Sequence, residues 1–295
     1  MKYLYFKLLI LIYITHLFMF FGCNKIEYSG KSKSQTDSTI KIKENDTEKS
    51  YQPSDEEIIE KYKNSTAEYW SDKLPGMVEG INTGTQEKII FLTFDACGKG
   101  RKGNGFDTEL LNFLIIKKIK ATFFINGRWA LVNKESLMKI SMNKDLFDIG
   151  NHGYYHSPLS INGKYGYKEK GTSNAEEVID EIKKGEKIIY EITGQKTKYF
   201  RSGTCFGDEM ALKILKEAGY EFISYTVAGD FGATLISNRV AEKIINSNNG
   251  DIILLHINHP ESGTGKGVIK AIETIAESVK FGKLSDYEKN FKYIK

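Results

Sequence analysis

Five polar residues of this 295-residue chain stand just past short apolar runs, and their types suit proton transfer and water activation. Asp95 closes Ile89–Phe94, His152 follows Phe147–Asn151, and Arg201 follows Lys198–Phe200. Asp230 follows Phe222–Gly229, and His256 ends the run from Asp251 to Leu255. A second imidazole, His156, stands four residues after His152 in Gly150-Asn-His-Gly-Tyr-Tyr-His-Ser157. On one helical turn that spacing puts both rings on the same side, as a shared metal ion requires. The chain holds five histidines. Apart from His16 near the N-terminus they are this pair, His256 and His259.

The elements that must position these groups follow from the pattern around them. A continuous apolar run such as Ile89–Phe94 reads as a parallel strand buried on both faces. A lone carboxylate deeper in it would cost several kcal/mol, so Asp95 belongs where the strand leaves the core. Repetition of the arrangement places one site at the carboxyl rim of a parallel sheet or barrel. Further strands are expected at Ala121–Ile125, Leu146–Ile149, Lys198–Phe200, Glu221–Val227, Asp251–His256 and near Phe291–Ile294. Amphipathic helices are expected at Asp107–Lys118, Lys134–Met142, Ala175–Ile192, Asp208–Ala218, Asn238–Asn246 and Lys266–Lys280, with Gly194 and Gly219 as stops. Ser160–Ser173 is a long Gly- and Tyr-rich connection. About seven β/α units without hairpin signals define an α/β fold, an irregular (β/α)7-type barrel with parallel strands and helices outside.

The N-terminal region is of another kind. Lys2 and Lys7 precede an apolar stretch ending at Phe21, the layout of a secretory signal over residues 1–22. Gly22-Cys23 resembles the lipobox of bacterial lipoproteins, with Phe20 where leucine is usual. Cys23 would then be lipidated, and the polar stretch over residues 23–53 would be a flexible tether from a membrane of the cell envelope. Residues 54–87 begin with the capping box Ser54-Asp55-Glu56-Glu57 and lead into the main domain, residues 88–295. The formal charge is +4, and discounting Lys2 and Lys7 brings it nearer neutrality, which gives no ground for a nucleic-acid partner. Cys97 and Cys205 fall inside the candidate motifs, either as small buried thiols, as a disulfide or as soft metal ligands.

Taken in order, Thr93-Phe94-Asp95, Asn151-His152…His156-Ser157, Phe200-Arg201-Ser202-Gly203, Asp230 and Leu254-Leu255-His256 resemble the five motifs of the polysaccharide deacetylase family, carbohydrate esterase family four. The resemblance spans about Leu74 to the C-terminus. It implies removal of N- or O-acetyl groups from a cell-wall or extracellular glycan such as peptidoglycan, with a divalent metal, zinc above all. By the same resemblance Asp95 corresponds to the general base, Arg201 to the group that holds it, and His152 and His156 to metal ligands. Asp230 corresponds to the carboxylate orienting His256, and His256 to the general acid. The backbone N–H near Thr204 corresponds to an oxyanion donor. Arg128, Trp129, Phe231, Asn258 and His259 follow strand ends and are candidates to line a glycan groove, with Trp129 stacking on a sugar or plugging the core. A monomer is expected.

One position departs from the family pattern. A second acid usually follows the base and binds the metal; here it is Ala96. Three resolutions stand open. Asp95 moves onto the metal, a neighbour such as His259 or Cys97 substitutes, or the site holds metal weakly. Ala96 also motivates a non-catalytic glycan-binding reading, and a changed substrate would give a hydrolase of another non-peptide C–N bond.

Overall fold

The computed structural model describes residues 52–98 and 103–295. The signal-like segment, Cys23 and the tether up to residue 51 lie outside the described residues. Helix α1 (Asp55–Tyr62) starts at the capping box read from the sequence. The Ser54 hydroxyl accepts from the Glu57 N–H and the Glu57 carboxylate accepts from the Ser54 N–H. The chain then alternates: β1 (Ile89–Ala96), α2 (Thr108–Ile116), β2 (Ala121–Ile125), α3 (Gly127–Val132), α4 (Lys134–Ser141), β3 (Phe147–Asn151), α5 (Ala175–Thr193), β4 (Tyr199–Phe200) and α6 (Glu209–Glu217). Next come β5 (Glu221–Phe222), β6 (Val227–Ala228), α7 (Ser237–Ile245), β7 (Ile252–His256), α8 (Thr264–Ile275) and β8 (Lys280–Phe281).

The sheet order is β5-β4-β3-β2-β1-β7-β6, every pairing parallel, with β8 beside the start of β1. Its two edges, β5 and β6, belong to one stretch of chain. The sheet has curled until residues 221–228 pair with β4 at their start and with β7 at their end. Val78–Ile81 helps to close the gap, with Val78 bridging Ile223 and Gly80 bridging Asp251. This is the irregular parallel barrel expected from the sequence. The strand expected near Phe291–Ile294 forms as Phe291–Tyr293, but it pairs antiparallel with Val78–Ile81 outside the parallel sheet. The long connection holds a small hairpin, Tyr165–Gly166 against Glu169–Lys170.

All eight residues of β1 are buried, and alternate ones serve different layers. Ile90, Leu92, Phe94 and Ala96 pack into the apolar cluster shared with α2, α4, α7 and α8. Ile89 and Phe91 pack on the other side with Phe124, Tyr199, Ile223 and Ile252. The period of two therefore turns Thr93 and Asp95 to the barrel interior and Ala96 to the helical layer.

Helix α5 is docked against the turn that follows β3. Its Gly185 leaves no room for a side chain: a Cβ there would lie 2.5 Å from Asn151 Oδ1 and 3.0 Å from the Gly153 carbonyl oxygen. Neither neighbour can give easily. Asn151 Oδ1 accepts from the Gly153 N–H at 2.9 Å, and the Gly153 carbonyl accepts from the Gly127 N–H and from Asn126 Nδ2. Gly185→Ala gains about 1 kcal/mol of helix propensity. It loses about 1–3 kcal/mol to overpacking. The expected outcome is a lower urea midpoint with unchanged m-value, and a variant more stable than wild type would contradict this packing.

Candidate active site

At the carboxyl end of β1, Asp95 is 3 % exposed and Arg201 wholly buried. Arg201 follows β4 and reaches under the Asp95 carboxylate. Its Nη1 donates to Asp95 Oδ1 at 2.8 Å and to Thr93 Oγ1 at 3.0 Å, Nε donates to the Ile223 carbonyl, and Nη2 donates to that of Ser224. The guanidinium also lies 4.2 Å from the centre of the Phe124 ring. Burial opposes charge on Asp95, but Arg201, with His152 and His256, holds its pKa below the usual carboxylate range. Asp95 Oδ2 is 3.7 Å from His152 Nε2.

The two histidines meet, though not on a helical turn. Residues 152–156 form a non-helical turn in which Gly153 has φ +68° and His156 φ +67°, and the ring centroids stand 4.8 Å apart. His152 Nδ1 donates to the Arg201 carbonyl at 2.7 Å, which leaves Nε2 as the ring atom facing Cys97 Sγ at 3.4 Å. The turn is held by Glu181 of α5, a residue 1 % exposed whose carboxylate accepts from the Tyr155 and Ser157 N–H groups on either side of His156. Burial raises the Glu181 pKa against the opposing pull of those donors. On the other side, Gly203 is pressed under the turn: a Cβ at that position would lie 1.9 Å from the His156 carbonyl oxygen. Only glycine fits.

Cys97 also faces this pair. Its Sγ lies 3.4 Å from His152 Nε2, and the ligand atoms of Cys97, His152 and His156 are all within 4.8 Å of one another. Burial pushes the thiol up, but the His156 and His152 imidazoles outweigh it and hold the pKa well below the ordinary value. Two ligands of one tetrahedral zinc, at bond lengths of about 2.3 Å to sulfur and 2.0–2.1 Å to nitrogen, stand about 3.5 Å apart. The Cys97–His152 pair stands at that separation, and the three donor types, gathered within 4.8 Å, suit a divalent metal. Ala96, fully buried in the helical layer, offers none.

At the end of β7, His256 Nδ1 donates to Asp230 Oδ1 at 2.9 Å, while the His256 N–H and Thr264 Oγ1 donate to Asp230 Oδ2 at 2.7 and 2.8 Å. Burial disfavours the imidazolium, but the Asp230 carboxylate raises the His256 pKa well above its ordinary value. Burial would likewise raise Asp230, yet His256 holds it low.

Asp95, Cys97, His152, His156, Thr204 and His256 line one cavity of about 350 Å³, with Phe231 and Tyr167 among its exposed walls. Thr204 Oγ1 is buried there without a hydrogen-bond partner. Of the other residues expected in a glycan groove, only Phe231 lines this cavity. Trp129 is fully buried, its indole donating to the Gly105 carbonyl and its ring against Phe106, so no face is open to a sugar. Asn258 is buried and donates to the Gly103 carbonyl. His259 pairs with Glu261 and does not line the cavity or join His152 and His156, which removes it as a substitute for the missing acid. Arg128 is spent on the Tyr155 carbonyl and ring. The motif reading passed over Glu181 and held Cys97 only as one of several substitutes for the missing acid, yet both carried sequence signals of their own. Cys97 is two residues after Asp95, directly past the end of an alternating strand, and Glu181 interrupts the buried stripe Val178, Ile182, Gly185, Ile189 of α5.

The model of the family described as polysaccharide deacetylase matches residues 82–223. Peptidoglycan-N-acetylmuramic acid deacetylase PdaA of Bacillus subtilis (strain 168) is 30% identical over 179 residues, covering 58% of this chain and 61% of that protein, so the chain spans less than two thirds of it. The solved structure of B. subtilis PdaA, a family 4 carbohydrate esterase, superposes with TM-score 0.59 at 24% identity over 79% of this chain and 87% of that one. BA3943 of Bacillus anthracis, described as a CE4 family pseudoenzyme, superposes with TM-score 0.58 at 22% identity over 72% of this chain and 69% of that one. Fold and site together define a deacetylase-type α/β barrel. Residues 82–223 carry the polysaccharide deacetylase domain, and the fold is that of a family 4 carbohydrate esterase.

The His256–Asp230 pair has a pH signature. A raised His256 pKa stabilises the fold below the unfolded value of about 6.5, and this is lost as pH rises through the folded pKa. The lowered Asp230 pKa contributes above about 3.9 and is lost as pH falls through its folded value. Asp230→Asn removes the largest influence raising the His256 pKa and leaves burial opposed only by Cys97, so the His256 pKa falls. A histidine NMR titration reads this directly, and an unshifted His256 would refute the pairing.

Proposed function

We propose that this protein is a metal-assisted hydrolase that removes acetyl groups from an N-acetylated glycan, peptidoglycan being the substrate favoured by its likeness to PdaA. The observation that carries the reading is the convergence of an Arg201-held carboxylate, an Asp230-held imidazole and a histidine pair on one cavity. A divalent metal held by His152 and His156 supplies, when bound, Lewis-acid polarisation of the acetyl carbonyl and a more acidic water.

The remaining work falls to the chain's own groups. Asp95 is kept ionised, with Oδ1 committed to Arg201, and Oδ2 accepts the proton of the attacking water. The backbone N–H at Thr204 donates to the oxygen that gains charge. His256 enters protonated because Asp230 faces it, and its Nε2–H is given to the leaving nitrogen, releasing acetate and a free amine. Phe231, 56 % exposed at the cavity edge, offers a ring face to the sugar. Export and anchoring through lipidated Cys23 would set the barrel on a tether at the envelope, where such a glycan lies.

The test is acetate release from peptidoglycan and from N-acetylated chitin oligomers by zinc-loaded protein. Asp95→Asn and His256→Gln are each expected to lower kcat/KM by about 10²–10⁴-fold while far-UV circular dichroism is retained. No acetate from any acetylated glycan would overturn the reading. Ala96 and the likeness to BA3943 favour one alternative, a barrel that binds glycan without turnover. In that case oligosaccharide affinity persists in His256→Gln and wild type releases nothing.

A further inference from the structure

We infer that Cys97 is the third protein ligand of this site, giving a His₂Cys set in which a thiolate replaces the carboxylate that Ala96 cannot supply. The inference rests on the metal-assisted reading above and deepens it.

Four observations carry it. The alternation of β1 turns position 96 into the helical layer and brings position 97 round to the side of Asp95. Cys97 Sγ stands 3.4 Å from His152 Nε2, a direct hydrogen-bond contact that is also the separation of two ligands of one tetrahedral ion. The Nδ1–H bond to the Arg201 carbonyl fixes the His152 tautomer that aims the Nε2 lone pair inward, the support usual behind a ligating imidazole. Among the described residues, Cys97, His152 and His156 form the metal-capable group, while Asp95 is engaged through Oδ1 by Arg201 at 2.8 Å.

The chemistry follows from the donor set. A thiolate carries the same single negative charge as a carboxylate, so the charge of the site is preserved while its softness changes. Two nitrogens and one sulfur suit zinc and cobalt(II) and disfavour magnesium and manganese. A tetrahedral ion so held keeps one position for water. Cys205 lines the same cavity but stands outside that group.

Cobalt(II) titration of the metal-free protein reads the ligand without any turnover. Wild type and Cys205→Ser are expected to show an intense near-ultraviolet thiolate-to-cobalt charge-transfer band, and Cys97→Ser to lose it. Zinc affinity of Cys97→Ser, measured by chelator competition, is expected to fall at least 10-fold, since even outer-shell partners of ligands matter about 10–100-fold. Zinc-edge X-ray absorption of wild type is expected to show one sulfur scatterer at about 2.3 Å, which keeps the test valid should the serine variant fail to fold. Metal bound with only nitrogen and oxygen scatterers, or no loss of affinity in Cys97→Ser, overturns the assignment. A charge-transfer band without acetate release would leave the ligand standing and sink the deacetylase reading. Acetate release without the band would do the reverse.

Discussion

A buried cation fixes the site. The Arg201 guanidinium is removed from water, and its ring, strand and loop partners come from Phe124 on β2, Thr93 and Asp95 on β1, and the Ile223 and Ser224 carbonyls after β5. Desolvating such a pair costs several kcal/mol per ion, and removing one partner costs about 3–5 kcal/mol because the other is left buried and alone. The pair is therefore weak as a source of stability and strong as a constraint on geometry. Arg201 acts at both ends of its own residue. The side chain holds the Asp95 carboxylate, and the backbone carbonyl orients His152. The Asp95 carboxylate and the His152 imidazole cannot drift apart without breaking contacts to one residue.

The second constraint is the two-residue period of β1. It separates the apolar layer under the helices from the chemistry of the interior, and it decides what each residue near the strand end can do. Read as a motif, Asp95-Ala96-Cys97 lacks an acid. Read as a strand, it has an inward carboxylate, an outward methyl that completes the core, and an inward thiol beside two imidazoles. The deviation from the family pattern is then a change of both position and atom.

Much of this was legible in the sequence because it rests on local patterns. The run Ile89–Phe94, the Ala121–Ile125 strand, the Ser54–Glu57 box and the stop at Gly194, which adopts φ +69°, are each set by neighbours in the chain. Five polar residues after apolar runs converge because parallel strands share one carboxyl rim. What was not legible depends on contacts across the fold. Trp129 follows a strand end like a binding residue, but α3 turns its indole into the core, where Gly105 accepts its hydrogen bond. The four-residue spacing of His152 and His156 looks helical, yet Glu181 and Gly203, distant in sequence, bend that segment into a turn. Residues 221–228 read as one strand and serve as both edges of a curled sheet, which no local pattern reports.

Backbone strain shows where the fold spends its rigidity. Seven non-glycine residues among those described have positive φ, and five of them, His156, Tyr167, Thr204, Cys205 and Phe231, line the cavity. Each left-handed residue of this kind costs on the order of 1–3 kcal/mol and persists only where its surroundings over-determine it. Those surroundings are the Glu181 carboxylate under the histidine turn, the Gly203 backbone against the His156 carbonyl, and Asp230, whose carbonyl accepts from the Thr234 and Leu235 N–H groups to fold the Phe231 loop. A barrel under no demand for a shaped cavity would relieve this strain with glycines or longer loops. Keeping bulky side chains in strained positions holds the shape of the wall that faces Asp95 and His256.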